Sequence, residues 1–336
     1  MDVFELTRAL IDIDSVTLNE EQIGDYLYRY VHPLTEKYDG HIEKMFVAER
    51  RNNIYAFWGQ PEIIFSTHMD TVPPFIPSSE DDEYIWGRGA ADTHGIAASM
   101  LKAIETLLIA GERNFGVLFV VGEELDGIGA ETANKVSPAE VRYLINGEPT
   151  ENQLGLGSKG SLRIELRATG KAAHSAYIEL GESAIEKLLD NLDALRKVTL
   201  PEDEILGPST LNIGTISGGV APNVIPDYAE ASITIRVVSD LDELKKLILS
   251  SFDDRIDATI ASECPAVHLK SLPGFKTSIV KYATDIPKLT NWGEPLLIGP
   301  GTIHVAHTLK ERVKKKQLLE AIEIYCELFK QLKTTA

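Results

Sequence analysis

Cysteine is nearly absent from this chain, which has two cysteines, Cys264 and Cys326, among its 336 residues. They are too far apart for a CxxC metal or redox motif, and two cysteines cannot form the multiple bridges of a disulfide-rich secreted domain. This usage fits a reducing compartment. Any metal ion must then be held by histidine, aspartate and glutamate.

The chain also lacks a run of 18 apolar residues, which a membrane-spanning helix would need. The first fifteen residues, MDVFELTRALIDIDS, contain four acidic side chains where a secretory signal has a basic start and an unbroken apolar stretch. The sequence therefore predicts neither a signal peptide nor a membrane span, and we expect a cytoplasmic protein.

Basic residues are too few for a polyanionic partner. The chain has 33 Lys and Arg against 51 Asp and Glu, and its formal net charge is -18. Nucleic acids and anionic membranes are bound by clusters of basic side chains that release counterions, so we expect neither as a partner. The 43% hydrophobic and 25% charged content is typical of a globular protein, and the length favours about two domains.

The hydrophobic pattern changes twice along the chain. In the first part, short apolar runs such as 117–121 alternate with helical periodicity such as 96–109, which predicts an α/β sheet between layers of helices. Residues 160–268 alternate polar and apolar side chains, as in a half-exposed sheet. We therefore predict a discontinuous domain, 1–159 plus 269–336, interrupted by an α+β domain at 160–268.

Metal-binding types of side chain follow three predicted strands. IIFST leads to His68 and Asp70, VLFVVG leads to Glu123 and Glu124, and YLIN leads to Glu148. Ligands of open α/β sheets bind beyond the carboxyl ends of the strands, so these side chains should meet at one edge.

Two more candidates, Asp92 and His307, lie in the glycine-rich segments GRGAADTHG and GPGTIHVAHT. Taken singly, each candidate has an ordinary alternative: a histidine at a strand end is usually structural, and Asp92 resembles a helix N-cap. Their convergence argues otherwise, because several carboxylates at one edge repel one another unless a cation neutralises them. A pair of divalent metal ions would remove that conflict.

Seven blocks in this order resemble the signature blocks of a known family. They are STHMDTVPP, GRGAADTHG, GEELDG, GEPT, GKAAHSA, GGVAPNVIPD and GPGTIHVAHT. The chain is identified on these blocks as similar to the M20 family of metallopeptidases and deacylases, which includes acetylornithine deacetylase, succinyl-diaminopimelate desuccinylase and glutamate carboxypeptidases. The resemblance implies a three-layer α/β catalytic domain of the zinc-peptidase type with an inserted α+β, ferredoxin-like lid and dimerisation domain.

The resemblance also implies a ligand set. Asp92 would bridge two metal ions, His68 and Glu148 would complete one site, and Glu124 and His307 would complete the other. Nitrogen and oxygen ligands with open positions suit Zn²⁺. Co²⁺ and Mn²⁺ stay open, because cellular supply decides between divalent ions.

Further roles follow from the same resemblance. Glu123 would be the general base, taking a proton from the metal-bridging water and passing it to the leaving amine. The spacing suggests a role for Asp70: two residues beyond His68, it lies on the same side of an extended segment and can accept the second ring N–H of His68, although a plain surface aspartate is the alternative. His94 stands where the family often has lysine. It is either a neutral replacement, which we favour, or an additional polar group near the metals; we interpret His304 as a bystander.

The inserted domain would supply substrate contacts. By resemblance, His174 would enter the active site of the neighbouring subunit of a homodimer and stabilise the oxyanion. Asn223 and Arg236 would bind the substrate carboxylate, for which a guanidinium offers a planar fork. Each could otherwise be a surface residue. The family also leads us to expect a non-proline cis peptide at Asp92–Thr93.

The function expected from the sequence is metal-dependent hydrolysis of an amide bond in a small N-acyl amino acid. The resemblance is strongest to acetylornithine deacetylase, an enzyme of amino-acid biosynthesis. Alternatives are succinyl-diaminopimelate desuccinylase, a carboxypeptidase or dipeptidase acting on short peptides, and a catalytically silent protein that binds an amino-acid derivative. The filled base and ligand positions argue against the silent protein, whereas the sequence leaves the acyl group and the physiological metal open.

Overall fold

The computed structural model describes residues 1–136, 138 and 140–334. The chain divides into two compact units. The first unit comprises Met1–Leu156, Leu269–Ser278 and Thr284–Ala336, and the second comprises Gly157–His268 and Ile279–Ala283. Within the described ranges, no helix is both long and apolar enough to cross a membrane.

The described residues form helices and strands in alternation. The α-helices are α1 (Val3–Ile11), α2 (Glu21–Tyr38), α3 (His94–Ile109), α4 (Ile128–Asn134), α5 (Ala184–Arg196), α6 (Leu241–Leu249) and α7 (Lys315–Thr334). The strands are β1 (Gly40–Ala48), β2 (Arg51–Trp58), β3 (Ile63–His68), β4 (Ser79–Glu80), β5 (Tyr84–Trp86), β6 (Phe115–Val120), β7 (Tyr143–Asn146), β8 (Leu154–Ser158), β9 (Gly160–Thr169), β10 (Ala173–His174), β11 (Glu202–Asp203), β12 (Gly207–Pro208), β13 (Thr210–Gly218), β14 (Val224–Ile225), β15 (Tyr228–Val237), β16 (Ile256–Cys264), β17 (Val267–His268), β18 (Thr277–Val280), β19 (Glu294–Leu297) and β20 (Arg312–Lys314). Short 3-10 helices occupy Ile178–Leu180 and Ile286–Lys288.

The first unit is built on a six-stranded sheet with the order β1-β2-β6-β3-β7-β19. β3 is parallel to β6 and to β7, and β19 is parallel to β7, whereas β1 and β2 form an antiparallel edge. The central strands are buried on both faces, which explains why they read as unbroken apolar runs.

Two hydrophobic clusters cover the two faces of this sheet. On one face, Phe65 of β3 packs in a cluster that includes residues of α1, α2, α3 and α7. On the other face, the adjacent Ile64 packs with residues of α4 and with Trp292. Successive strand residues point to opposite faces, so one run of sequence serves both cores. The predicted three-layer α/β architecture is confirmed.

The second unit is an α+β structure, as predicted. Its main sheet is antiparallel in the order β13-β15-β9-β16. Alternate residues of β9 and β15 are buried in one cluster with apolar residues of α5 and α6, so the helices cover one face. The edge strand β13 is exposed along most of its length.

We expect Phe115 to be a main determinant of the stability of the first unit. Its ring lies 5.4 Å from Trp58 and 5.3 Å from Phe329, measured between centroids. Replacing this fully buried side chain in Phe115→Ala should lower the free energy of unfolding by about 3–5 kcal/mol through lost burial and a cavity. Urea unfolding measures this. Phe46→Ala, at a position 71% exposed, is the control and should change stability by less than about 0.5 kcal/mol; equal effects would contradict the prediction.

Candidate metal centre

Three central strands, β3, β6 and β7, end at the same edge of the sheet, and candidate side chains lie at or just beyond their ends. In the parallel register His68, the last residue of β3, lies beside Val120 at the end of β6, and Ser66 lies beside Asn146 at the end of β7. The residues that follow β6 and β7 therefore emerge next to His68. Gly122 has a φ of +78° and turns the chain directly before the two glutamates of GEELDG.

The five predicted ligands lie together within the first unit. His68 Nε2 is 3.1 Å from Asp92 Oδ1 and 4.0 Å from Glu148 Oε1. His307 Nε2 is 3.4 Å from Asp92 Oδ2 and 2.9 Å from Glu124 Oε1. The two oxygens of Asp92 thus face different histidines, with one glutamate beside each histidine. This geometry is what a carboxylate shared between two cations requires.

The buried carboxyl groups repel one another strongly. Burial, together with the charges of Asp92 and Glu123, raises the pKa of Glu148 well above its usual value. Burial also raises the pKa of Glu124, to which the charge of Asp92 adds, and raises the pKa of Glu123 well above its usual value. A divalent cation would favour the ionised forms of all these groups. The donor set of two imidazoles and several carboxylates therefore fits a metal, and the ligand atoms of His68, Asp92 and Glu124 lie within 4.8 Å of one another.

The two histidines lie against the carboxylates, which favour the protonated, positively charged form of each imidazole. Burial lowers the pKa of His68, but the nearby carboxylates of Asp70 and Asp92 outweigh burial and raise that pKa well above its ordinary value. Hydrogen bonds to Asp92 and then to Glu124 raise the pKa of His307 to about 10. Although burial opposes ionisation of Asp92, its bonds to the two histidines lower its pKa.

Asp70 contacts His68 in a way that differs in part from the prediction. His68 Nδ1 is 2.9 Å from the backbone oxygen of Asp70 and 3.5 Å from carboxylate Oδ1, so the carbonyl is the nearer acceptor. The carboxylate instead accepts the backbone N–H groups of Glu123 and Glu124, at 3.1 and 3.2 Å, and the hydroxyl of Thr17 at 2.8 Å. Asp70 thereby links His68, through its backbone carbonyl, to the segment that carries both glutamates, through its carboxylate.

Sequence reasoning missed the structural role of Glu311. Its buried carboxylate pairs with Arg88 and accepts the backbone N–H groups of Gly89, Ala91 and Asp92 at 3.0 to 3.2 Å. Glu311 thus holds the segment that ends in the bridging candidate. The predicted cis peptide after Asp92 is present, which confirms that expectation. The sequence signal for Glu311 was only its place four residues beyond His307.

Two further buried groups lie near the centre. His94 Nε2 is 3.2 Å from the carbonyl oxygen of Met69 and 3.1 Å from the hydroxyl of Ser15. Burial lowers the pKa of His94 to about 4. Burial raises the pKa of Asp285 to about 7, and its Oδ2 has no hydrogen-bond partner in the described part of the chain. His304 is exposed.

The predicted substrate residues belong to the second unit. His174 is exposed and pairs with Val224, and the Ser175 N–H donates to the Asn223 carbonyl at 3.0 Å. His174 and Asn223 are therefore neighbours. Arg236 lies eight residues beyond Tyr228 along β15, roughly 26 Å from the end nearest Asn223 at ~3.3 Å per residue. Within one chain the structure does not bring Arg236 beside Asn223.

Comparisons with known proteins identify the family. The chain is 38% identical over 337 residues to a peptidase M20 domain-containing protein of Schizosaccharomyces pombe, covering 96% of this chain and 83% of the relative. It is 36% identical over 386 residues to a protein of Talaromyces marneffei named probable carboxypeptidase, covering 97% and 85%. Residues 156–259 match the model of the peptidase dimerisation domain of this family. The chain belongs to the M20 peptidase family.

Solved structures agree with this fold. A tripeptidase from Staphylococcus aureus superposes with a TM-score of 0.80 at 22% identity, covering 97% of this chain and 96% of the other. An M20 family metallo-carboxypeptidase from Sulfolobus solfataricus gives 0.74 at 16% identity, covering 97% and 98%. The predicted family and fold are confirmed, and this M20 protein is a metallohydrolase that acts on amide bonds. The deacetylase specificity stays a prediction.

The raised pKa of His307 makes the metal-free protein less stable at high pH. Because the folded pKa of about 10 exceeds the ordinary 6.5, this group contributes stability below pH 6.5 that is lost as the pH rises through 10. We expect chelator-treated wild type to exceed His307→Gln in unfolding free energy at pH 6, with the difference shrinking by pH 10. Urea titration at both pH values checks this, with His304→Gln as the loop control; a constant difference would refute it.

Proposed function

We propose that this M20 protein is a metal-dependent hydrolase of the carboxypeptidase type, which cleaves the amide bond next to a free carboxylate in a short peptide or N-acyl amino acid. The observation that carries the proposal is the placement of Asp92 between two histidine–glutamate pairs with Glu123 alongside. The relative named probable carboxypeptidase supports the peptide substrate, since 97% of this chain matches it.

In this proposal Asp92 is the shared ligand of two divalent ions. His68 and Glu148 hold one ion, and Glu124 and His307 hold the other, each pair with the distances given above. Zn²⁺ suits this set of nitrogen and oxygen ligands, and Co²⁺ and Mn²⁺ remain alternatives. When bound, such ions supply Lewis acidity and lower the pKa of water, which makes a nucleophile available at neutral pH.

Glu123 moves the proton in the proposed reaction. It accepts a proton from the attacking water and returns it to the nitrogen of the leaving amine, which needs one when the C–N bond breaks. Burial and the neighbouring carboxylates raise the pKa of Glu123, which makes it a stronger proton acceptor than an exposed glutamate. Its backbone N–H donates to the Asp70 carboxylate, which fixes the backbone that carries the base.

The second unit is proposed to act in a homodimer. The match to a dimerisation domain supports this assembly, and exposed edge strand β13 offers unpaired backbone groups. His174 would donate to the oxyanion in the partner's site. The Ala176 N–H donates to His174 Nδ1 at 3.1 Å, which places the ring proton on Nε2, ready to donate. Arg236 and Asn223 would hold the substrate carboxylate.

N-acyl amino acids are the second candidate substrates. The block GEPT and the tail GPGTIHVAHT resemble acetylornithine deacetylase, and such substrates carry the same free carboxylate. The two classes differ in the acyl side of the scissile bond, where a small acetyl or succinyl group replaces an aminoacyl residue. Rates on N-acetyl amino acids, N-succinyl amino acids and dipeptides separate them directly.

Glu123→Gln should abolish turnover and leave the metals bound. We expect kcat to fall by about 10²–10⁴ because the amide cannot accept the proton, with metal content equal to wild type. Metal analysis and initial rates on the dipeptide and N-acetyl panel measure this. Glu36→Gln, an exposed glutamate of α2, should retain wild-type rates. Undiminished turnover by Glu123→Gln, or no turnover by metal-loaded wild type, would refute the function.

We expect Arg236 to make the enzyme prefer substrates that have a free carboxylate. Wild type should prefer a dipeptide with a free C-terminal carboxylate over its amide by roughly 10²-fold in kcat/KM, the scale of a charged bidentate contact. In Arg236→Ala this preference should largely disappear, because kcat/KM for the dipeptide with a free carboxylate falls while that for the amide changes little. Arg167→Ala, at an exposed arginine on the neighbouring strand β9 of the second unit, is the control. An unchanged preference in Arg236→Ala would remove Arg236 from the proposed site.

A further inference from the structure

An extended segment near the N-terminus runs beside the metal centre. Residues 14–17 lie between α1 and α2, and Val16 forms a parallel bridge with Thr71. The Thr71 N–H donates to the Ser15 carbonyl at 3.0 Å, and the Thr17 N–H donates to the Thr71 carbonyl at 3.0 Å. The segment is therefore fastened by its backbone to the chain that follows His68 and Asp70.

Thr17 then reaches Asp70 with its side chain. Its hydroxyl oxygen is 2.8 Å from Asp70 Oδ2 and 3.4 Å from the Thr71 carbonyl oxygen. A hydroxyl has one proton to donate, and the nearer, ionised acceptor is the stronger one. The other two donors to this carboxylate are the backbone amides of Glu123 and Glu124. Of these three hydrogen bonds, the one from the Thr17 side chain can be removed by a substitution that leaves Glu123 and Glu124 unchanged.

We propose that Thr17 is a positioning residue of the metal centre, which fixes Asp70: the Asp70 carboxylate holds the segment carrying Glu123 and Glu124, and its backbone carbonyl accepts from His68. The inference rests on the proposed metal site. It assigns to the N-terminal segment a role that none of the sequence blocks suggests.

The size of the effect follows from the position of Thr17 in the chain of contacts. Residues that hydrogen-bond a metal ligand typically change metal affinity by about 10- to 100-fold when removed. Thr17 is one contact further out, and two backbone donors to Asp70 remain when it is replaced. We therefore expect metal binding to weaken by about tenfold, the lower end of that range.

The test uses the whole protein stripped of metal by a chelator. Thr17→Val keeps the shape and the backbone bond to Thr71 but removes the hydroxyl, whereas Thr17→Ser restores a hydroxyl. Thr7→Val is the matched control, because Thr7 is fully buried and its hydroxyl donates to the Val3 carbonyl at 2.8 Å. Dissociation constants for Zn²⁺ and Co²⁺ are measured by competition with a chromophoric chelator, and thermal unfolding of the metal-free proteins is recorded in parallel.

The expected result is a dissociation constant about tenfold higher for Thr17→Val, with Thr17→Ser and Thr7→Val within about threefold of wild type. Wild-type affinity in Thr17→Val would overturn the inference, as would an equal loss in Thr7→Val. If Thr17→Val does not fold, Thr17→Ala removes the same hydroxyl and is judged by the same criteria. A wild type that binds no divalent ion would refute the proposed function itself, which distinguishes the two failures.

A double-mutant cycle separates positioning from a general structural role. In an Asp70→Ala background Thr17 has no carboxylate to hold, so adding Thr17→Val should change the Zn²⁺ dissociation constant by less than about twofold. A further tenfold loss in that background would show that Thr17 acts independently of Asp70 and would overturn the inference.

Discussion

The repulsion among buried carboxylates at one edge of the sheet is the constraint on which the rest of the molecule depends. Asp92, Glu123, Glu124 and Glu148 come from segments far apart in sequence and meet where water is largely excluded. Such a cluster is unfavourable unless positive charge is supplied, and the two imidazoles supply part of it. The first unit therefore combines a packed sheet with a carboxylate cluster whose unfavourable contacts a bound cation would relieve.

Two other buried carboxylates hold the backbone around this cluster by accepting hydrogen bonds from amide groups. Glu311 holds the amides leading to Asp92, and Asp70 holds the amides of Glu123 and Glu124. Both fix the backbone of a segment that carries a functional side chain. Backbone amides have less freedom to move than long side chains, so these bonds restrain the spacing of the candidate ligands.

The sequence indicates the candidate ligands more clearly than the residues that hold them in place, for a physical reason. His68, Glu124 and Glu148 follow apolar strands, and parallel strands must end at one edge, so their convergence can be inferred from local patterns. Glu311 and Thr17 act through contacts with residues far away in sequence, which no local pattern encodes. For the same reason the hydrophobic spacing of residues 277–284, which favours a helix, is misleading: the stretch begins as strand Thr277–Val280, which pairs with β8 far away in sequence.

The arrangement of the second unit limits how the proposed substrate contacts can be made. His174 and Asn223 lie at one end of β15 and Arg236 near the other, a separation larger than a dipeptide. One copy of this unit cannot place all three around a single small substrate. If all three contact it, as the proposed function requires, His174 and Asn223 must come from one chain and Arg236 from another. Dimerisation would then complete the active site. A monomer would keep the metal ligands but would lack part of the contacts to the substrate.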